Sequence, residues 1–179
     1  MRIVCIGDSL VRGLDWGYNS DLQKPLNVRL SEKYGGIAVV NLGINGDGTL
    51  NVYNRRESVV EYDPFRVIVW AGVNDTATLT AQQIETNLQN TYNYFAALNY
   101  EVIAVTITPV DTDPQAQNSV RWSVNDWMKN TAANVVKVAD AFTAIADPLD
   151  VTQRLEEYAD INTPVHLNDA GMAAVANLI

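Results

Sequence analysis

Five short runs rich in valine and isoleucine recur along the chain, at residues 2–6, 37–42, 66–70, 101–107 and 135–139. Runs of this length with few polar residues read as strands buried on both faces. Stretches with helical character fall between and after them, at 20–34, 51–60, 80–98, 118–133 and 168–179, the third opening on a capping box formed by Thr80 and Gln83. Strands that alternate with helices imply crossover connections, and crossovers make neighbouring strands parallel. The pattern predicts an α/β chain in which a five-stranded parallel sheet lies between two helical layers, a three-layer α/β/α sandwich. With 179 residues, no internal repeat and no low-complexity tract, residues 1–179 are expected to form one domain.

Charge and hydropathy narrow the range of functions. The net charge is −9 and no cluster of Lys and Arg occurs, which argues against binding nucleic acid or an anionic membrane surface. No stretch approaches the ~20 apolar residues that a membrane-spanning helix needs. The opening Met1 to Gly7 lacks the features of a signal peptide and reads as a first strand, so cytoplasmic residence is expected. The single Cys5 cannot form an intramolecular disulfide, and within an apolar run it reads as a small buried hydrophobe.

In parallel sheets ligands bind beyond the carboxyl ends of the strands. Four polar positions stand out there: Asp8-Ser9 after the first run, Gly46 after the second, Asn74-Asp75 after the third, and His166 ahead of the last helix. A serine hydroxyl is a weak nucleophile without an adjacent base, and His166 is the only histidine. Gly7 is expected to permit a tight turn that exposes Ser9. An ester carbonyl under attack becomes an oxyanion, and three donors could surround it: the backbone N–H of Ser9, the backbone N–H of Gly46 and the side-chain amide of Asn74. Singly, each has a plainer reading, as an N-cap serine, a structural histidine, a turn at 45–48 or a loop at 72–75 leading into a helix. Asp8 and Asp75 read as supports for nearby backbone N–H groups. A glycosidase built on that pair of carboxylates would leave Ser9, Asn74 and His166 without a role.

Taken together the motifs resemble a known family. Ile-Gly-Asp-Ser-Leu ending at Leu10, Val-Val-Asn-Leu-Gly-Ile-Asn-Gly-Asp-Gly ending at Gly48, Val-Trp-Ala-Gly-Val-Asn-Asp ending at Asp75 and Val-His-Leu-Asn-Asp-Ala-Gly from Val165 to Gly171 are similar, in order, to the four blocks of the SGNH (GDSL-type) hydrolases. The resemblance implies a flavodoxin-like fold. It also implies hydrolysis of carboxylic esters or thioesters through an acyl-enzyme on Ser9, with His166 as general base and an oxyanion hole made by Ser9, Gly46 and Asn74. Neither a metal nor an organic cofactor is implied. No long apolar insertion exists to form a lid, so the expected partner is a small-molecule ester with a short acyl chain or an acetylated carbohydrate. Leu10, Trp16, Tyr18, Pro109 and Val110 are expected to wall the site, while Trp122 and Trp127 pack on the sheet.

One departure matters. Three residues before its histidine the family carries an aspartate, and this chain carries Thr163. A carboxylate there fixes the imidazole tautomer and stabilises the imidazolium, whereas threonine is neutral. The sequence admits a Ser9–His166 dyad oriented by Thr163 or a main-chain carbonyl, a rescue by Asp160 or Asp169, or a non-catalytic carbohydrate- or partner-binding module. An enzyme passing its acyl group to a sugar hydroxyl is a further alternative on the same residues. Asp169 is expected in the first turn of the last helix, with Asn168 as its cap.

Overall fold

The computed structural model describes residues 1–15, 20–21 and 24–179. Its elements run β1 (Arg2–Gly7), α1 (Ser9–Arg12), the two-residue strands β2 (Leu14–Asp15) and β3 (Ser20–Asp21), α2 (Leu26–Lys33), β4 (Ala38–Gly43) and α3 (Thr49–Asn54). A 3-10 helix at Arg56–Tyr62 leads to β5 (Arg66–Trp70), α4 (Ala81–Ala97), β6 (Glu101–Val105), α5 (Gln115–Asn130), β7 (Lys137–Ala139) and α6 (Ala141–Ile145). A 3-10 turn at Glu156–Tyr158 precedes α7 (Asp169–Leu178).

Among the described residues the main sheet has the order β4-β1-β5-β6-β7, parallel throughout. Helix α7 packs against both α2 and α6, and α4 packs against both α3 and α5 in a second group. The fold is a three-layer α/β/α sandwich with a flavodoxin-like strand order. The central strands β1 and β5 bury Ile3, Val4, Cys5, Ile6, Val67, Ile68, Val69 and Trp70 almost completely, as strands covered on both faces require. Burial pushes the Cys5 thiol far above its usual range, which keeps it uncharged. No helix among the described residues is long and apolar enough to cross a membrane.

Where the elements differ from the sequence reading, local chemistry explains it. The run 101–107 leaves the sheet after Val105: the Ile107 backbone bonds instead to the Asn125 side-chain amide, which receives its N–H at 2.8 Å and donates to its carbonyl at 2.9 Å. The helix expected at 51–60 breaks at Arg55, whose guanidinium reaches back to Asp47 and to the carbonyls of Leu42 and Gly7. The helix expected from residue 20 starts at Leu26, after Pro25, because proline disfavours helical geometry in the residue before it. Two short helices, α1 and α6, are additional. Among the described residues the longest connection is the segment between α6 and α7. Trp127 is partly buried against the core and stacks on Tyr92 of α4, with ring centroids 6.2 Å apart, whereas Trp122 is exposed rather than packed on the sheet as expected.

Candidate active site

With β1 flanked by β4 and β5 in parallel, the loops that follow these three strands share one rim of the sheet. The chain winds from β1 to β4 on one side and then to β5 on the other, and such a reversal leaves a crevice at the carboxyl ends. Ser9, Gly46 and Asn74 all follow these strands.

Ser9 is the first residue of α1, and its position is fixed by backbone. Gly7 is needed for a reason other than the expected turn: a Cβ there would lie 1.9 Å from the Trp70 carbonyl oxygen, so its lack of side chain lets β1 end close against β5. Asp8 caps the helix, its Oδ1 accepting the Leu10 N–H at 2.8 Å. Gly13 closes it in the left-handed conformation at φ 78°, donating to the Ser9 carbonyl. Burial pushes the Asp8 carboxyl up to about 7 against the pull of the Leu10 N–H, and the charges of Asp75 and Asp47 add to the rise.

His166 stands on the long connection, and its Nε2 lies 2.8 Å from Ser9 Oγ. On the other side of the ring, Nδ1 lies 3.0 Å from Thr163 Oγ1. The same hydroxyl oxygen accepts the backbone N–H groups of Val165 at 3.1 Å and His166 at 2.8 Å. Asp160 does not bond the ring: its Oδ1 accepts from the backbone and side chain of Asn162, and its Oδ2 is buried without a partner. Asp169 is drawn off by Arg29 at 2.6 Å, while Asn168 caps α7 through the Gly171 N–H. Burial pushes the imidazole down to about 4, opposed by the charge of Asp160 and reinforced by that of Arg154. The ring is therefore neutral near pH 7, the form a general base requires.

Arg154 anchors this loop and escaped the sequence reading. Its side chain is 1% exposed and pairs with both oxygens of Asp111, Nη2 to Oδ2 at 2.7 Å and Nε to Oδ1 at 3.0 Å. It also donates to the carbonyls of Thr163 and His166, the two residues whose side chains meet. Asp111 in turn bonds the Pro164 carbonyl through its N–H. No sequence signal links Arg154 to an aspartate 43 positions earlier.

The remaining donors sit on the same rim. Gly46 is left-handed at φ 78° within a turn closed by Asp47 N–H to the Ile44 carbonyl. The Asn74 amide donates to the Asp47 carbonyl at 3.0 Å, which ties the third loop to the second. Asp75 accepts the Thr49 N–H at 2.7 Å, an approach that Gly48 permits, since a Cβ there would lie 2.3 Å from Asp75 Oδ1. Burial raises the Asp75 carboxyl, with the Thr49 bonds opposing. Of the expected walls, Leu10, Pro109 and Val110 are buried, and Trp16 and Tyr18 lie outside the described residues. Among the described residues no group of three or more His, Cys, Asp or Glu side chains could hold a metal ion.

A buried serine–histidine contact at the carboxyl edge of a parallel sheet defines a candidate hydrolase site. The family model of the GDSL-like lipase/acylhydrolase family matches residues 5–174, and the chain belongs to that family. Solved structures agree on the fold. A G-D-S-L family protein from Desulfitobacterium hafniense superposes with a TM-score of 0.82 at 20% identity, over 99% of this chain and 96% of that one. A GDSL-like lipase from Bacteroides thetaiotaomicron gives 0.79 at 20% identity, over 99% and 84%. A psychrotrophic esterase from Pseudoalteromonas, described as inhibited by monoethylphosphonate, gives 0.66 at 19% identity, over 99% and 93%. No curated protein matches the chain.

Proposed function

We propose that the protein hydrolyses carboxylic esters of small molecules through an acyl-enzyme on Ser9. The observation that carries this reading is the 2.8 Å contact between Ser9 Oγ and a buried His166 Nε2. In the proposed cycle Nε2 takes the hydroxyl proton as Oγ attacks the ester carbon, and the charge that forms on the carbonyl oxygen is met by the N–H groups of Ser9 and Gly46 and the amide of Asn74. His166 then returns the proton to the departing alcohol, and water repeats the sequence to release the acid. Thr163 holds the ring in place of the family's aspartate, so the working unit is a dyad.

A cavity of about 330 Å³ between the first turns of α3 and α4, lined by Leu50, Leu79, Gln82, Gln83, Thr86 and Asn87, supports a short acyl or acetylated sugar substrate. Its lining residue Leu50 follows Thr49, whose hydroxyl accepts from the Asn87 amide. The test is hydrolysis of p-nitrophenyl esters of graded chain length. In a serine protease, losing the nucleophile costs about 10⁶ in turnover and losing the acid alone about 10⁴. A dyad should therefore lose on the order of 10²-fold in kcat in Ser9→Ala or His166→Ala. Turnover by wild type no faster than by Ser9→Ala would defeat the reading. It would favour instead a binding module that keeps the pocket, the alternative Thr163 motivates. If a sugar alcohol diverts the acyl group from water, the enzyme is a transferase.

A further inference from the structure

The bonds around Thr163 say which ring nitrogen of His166 carries the proton. A hydroxyl oxygen has three directions besides its bond to carbon: two lone pairs and its own hydrogen. Around Thr163 Oγ1 three partners fill them, the Val165 N–H at 3.1 Å, the His166 N–H at 2.8 Å and His166 Nδ1 at 3.0 Å. The two backbone groups can only donate, so they occupy the lone pairs. What remains for Nδ1 is the hydroxyl hydrogen, and a nitrogen that accepts it cannot carry one. From this count we infer that Thr163 donates to His166 Nδ1 and so holds the resting imidazole as the Nε2–H tautomer, with Nε2 donating to Ser9 Oγ.

The opposite arrangement would crowd three donors around one oxygen and leave the threonine hydrogen without this acceptor. An aspartate at 163 would reverse the outcome, because an ionised carboxylate only accepts and demands a proton on Nδ1. The substitution therefore does more than remove a charge. In the resting state Nε2 already bears a proton and cannot take the one on Ser9. Before the attack proposed above, Nε2 must give its proton to water and Nδ1 must take one from water while the Thr163 hydrogen turns away, the ring's charge being the same before and after. Thr163 is then a positioning residue that favours the idle tautomer, and the site is poised below its capacity. Burial keeps the ring neutral well below pH 7, so the tautomer can be read without interference from the imidazolium.

This inference deepens the proposed esterase reading, but its primary test does not depend on turnover. Because His166 is the only histidine, the two-bond nitrogen–proton spectrum of protein labelled with ¹⁵N-histidine at pH 7 reports one ring. The expected result is a protonated Nε2 and a bare Nδ1 in wild type; a protonated Nδ1 would overturn the inference. In Thr163→Asp the proton should move to Nδ1, and a spectrum unchanged from wild type would contradict the account. If wild type shows the expected tautomer and hydrolyses no ester, the functional reading fails while the tautomer stands. With turnover, Thr163→Asp should raise kcat by up to ~10⁴-fold at nearly constant KM, the factor a misplaced tautomer costs in a serine protease. A purely structural threonine would give a fall in both kcat and stability, with no change of tautomer.

Discussion

The two halves of the candidate site are built differently. Ser9 stands where a strand meets a helix, and its surroundings are local in sequence or built from backbone: Gly7 against the Trp70 carbonyl, the Asp8 carboxylate capping α1, Gly13 closing it. His166 stands on an irregular connection, held by side chains distant in sequence, above all Arg154 and Asp111. The Ser9 half depends on what is missing, a Cβ at Gly7. The His166 half depends on a partly buried charge pair. Loops carry functional groups well only when a scaffold fixes them, and here one guanidinium binds four oxygens from three residues, two on Asp111 and the carbonyls of Thr163 and His166.

At fixed pH, breaking the His166 half should have the largest effect. Arg154→Leu leaves Asp111 partly buried without its partner and frees the carbonyls of Thr163 and His166, so stability should fall by about 3 kcal/mol in chemical denaturation. A loss under 1 kcal/mol would mean that backbone geometry alone holds the loop. Next comes Gly7→Ala on the Ser9 half. Its methyl would meet backbone oxygen, which cannot rotate away, and overpacking of this kind costs about 1–3 kcal/mol. Unchanged stability would show that β1 and β5 can part there.

A pH-dependent effect belongs to Asp8. Its folded carboxyl is pushed up to about 7, above the ~3.9 of an unfolded chain. Between these values the folded state keeps a proton that the unfolded chain has lost, so wild-type stability falls as pH rises through this window, by up to about 1.4 kcal/mol per pH unit. Asp8→Asn keeps the capping oxygen and has no proton to lose. Its Tm relative to wild type should be higher at pH 8 than at pH 5, and a pH-independent difference would show that the carboxylate is solvated. The smallest effect is expected from Arg29→Ala, which removes a pair whose Asp169 is 47% exposed; surface pairs of this kind contribute about 0–1 kcal/mol.

The same contrast marks what could be read from the sequence. The sheet, the capping box at Thr80 and the rim positions of Ser9, Gly46 and Asn74 follow from short-range patterns: apolar runs, turn glycines, polar residues at strand ends. Thr163 was visible as an exchange, because it sits three residues from His166. The Arg154–Asp111 pair was not, since a contact across 43 positions leaves no local periodicity, and the helix break at Arg55 likewise depends on carbonyls of β1 and β4 that only the fold brings near. Gly7 was singled out for the right residue and the wrong reason: a turn was expected, and the neighbouring strand supplies the constraint.

The central claim is that His166 makes Ser9 a nucleophile. The most direct measurement is covalent labelling with a fluorophosphonate followed by peptide mass spectrometry. The account predicts one phosphonyl adduct on the peptide containing Ser9, formed by wild type, absent in Ser9→Ala and strongly slowed in His166→Ala. An unlabelled wild type, or an adduct on any other residue, would contradict it.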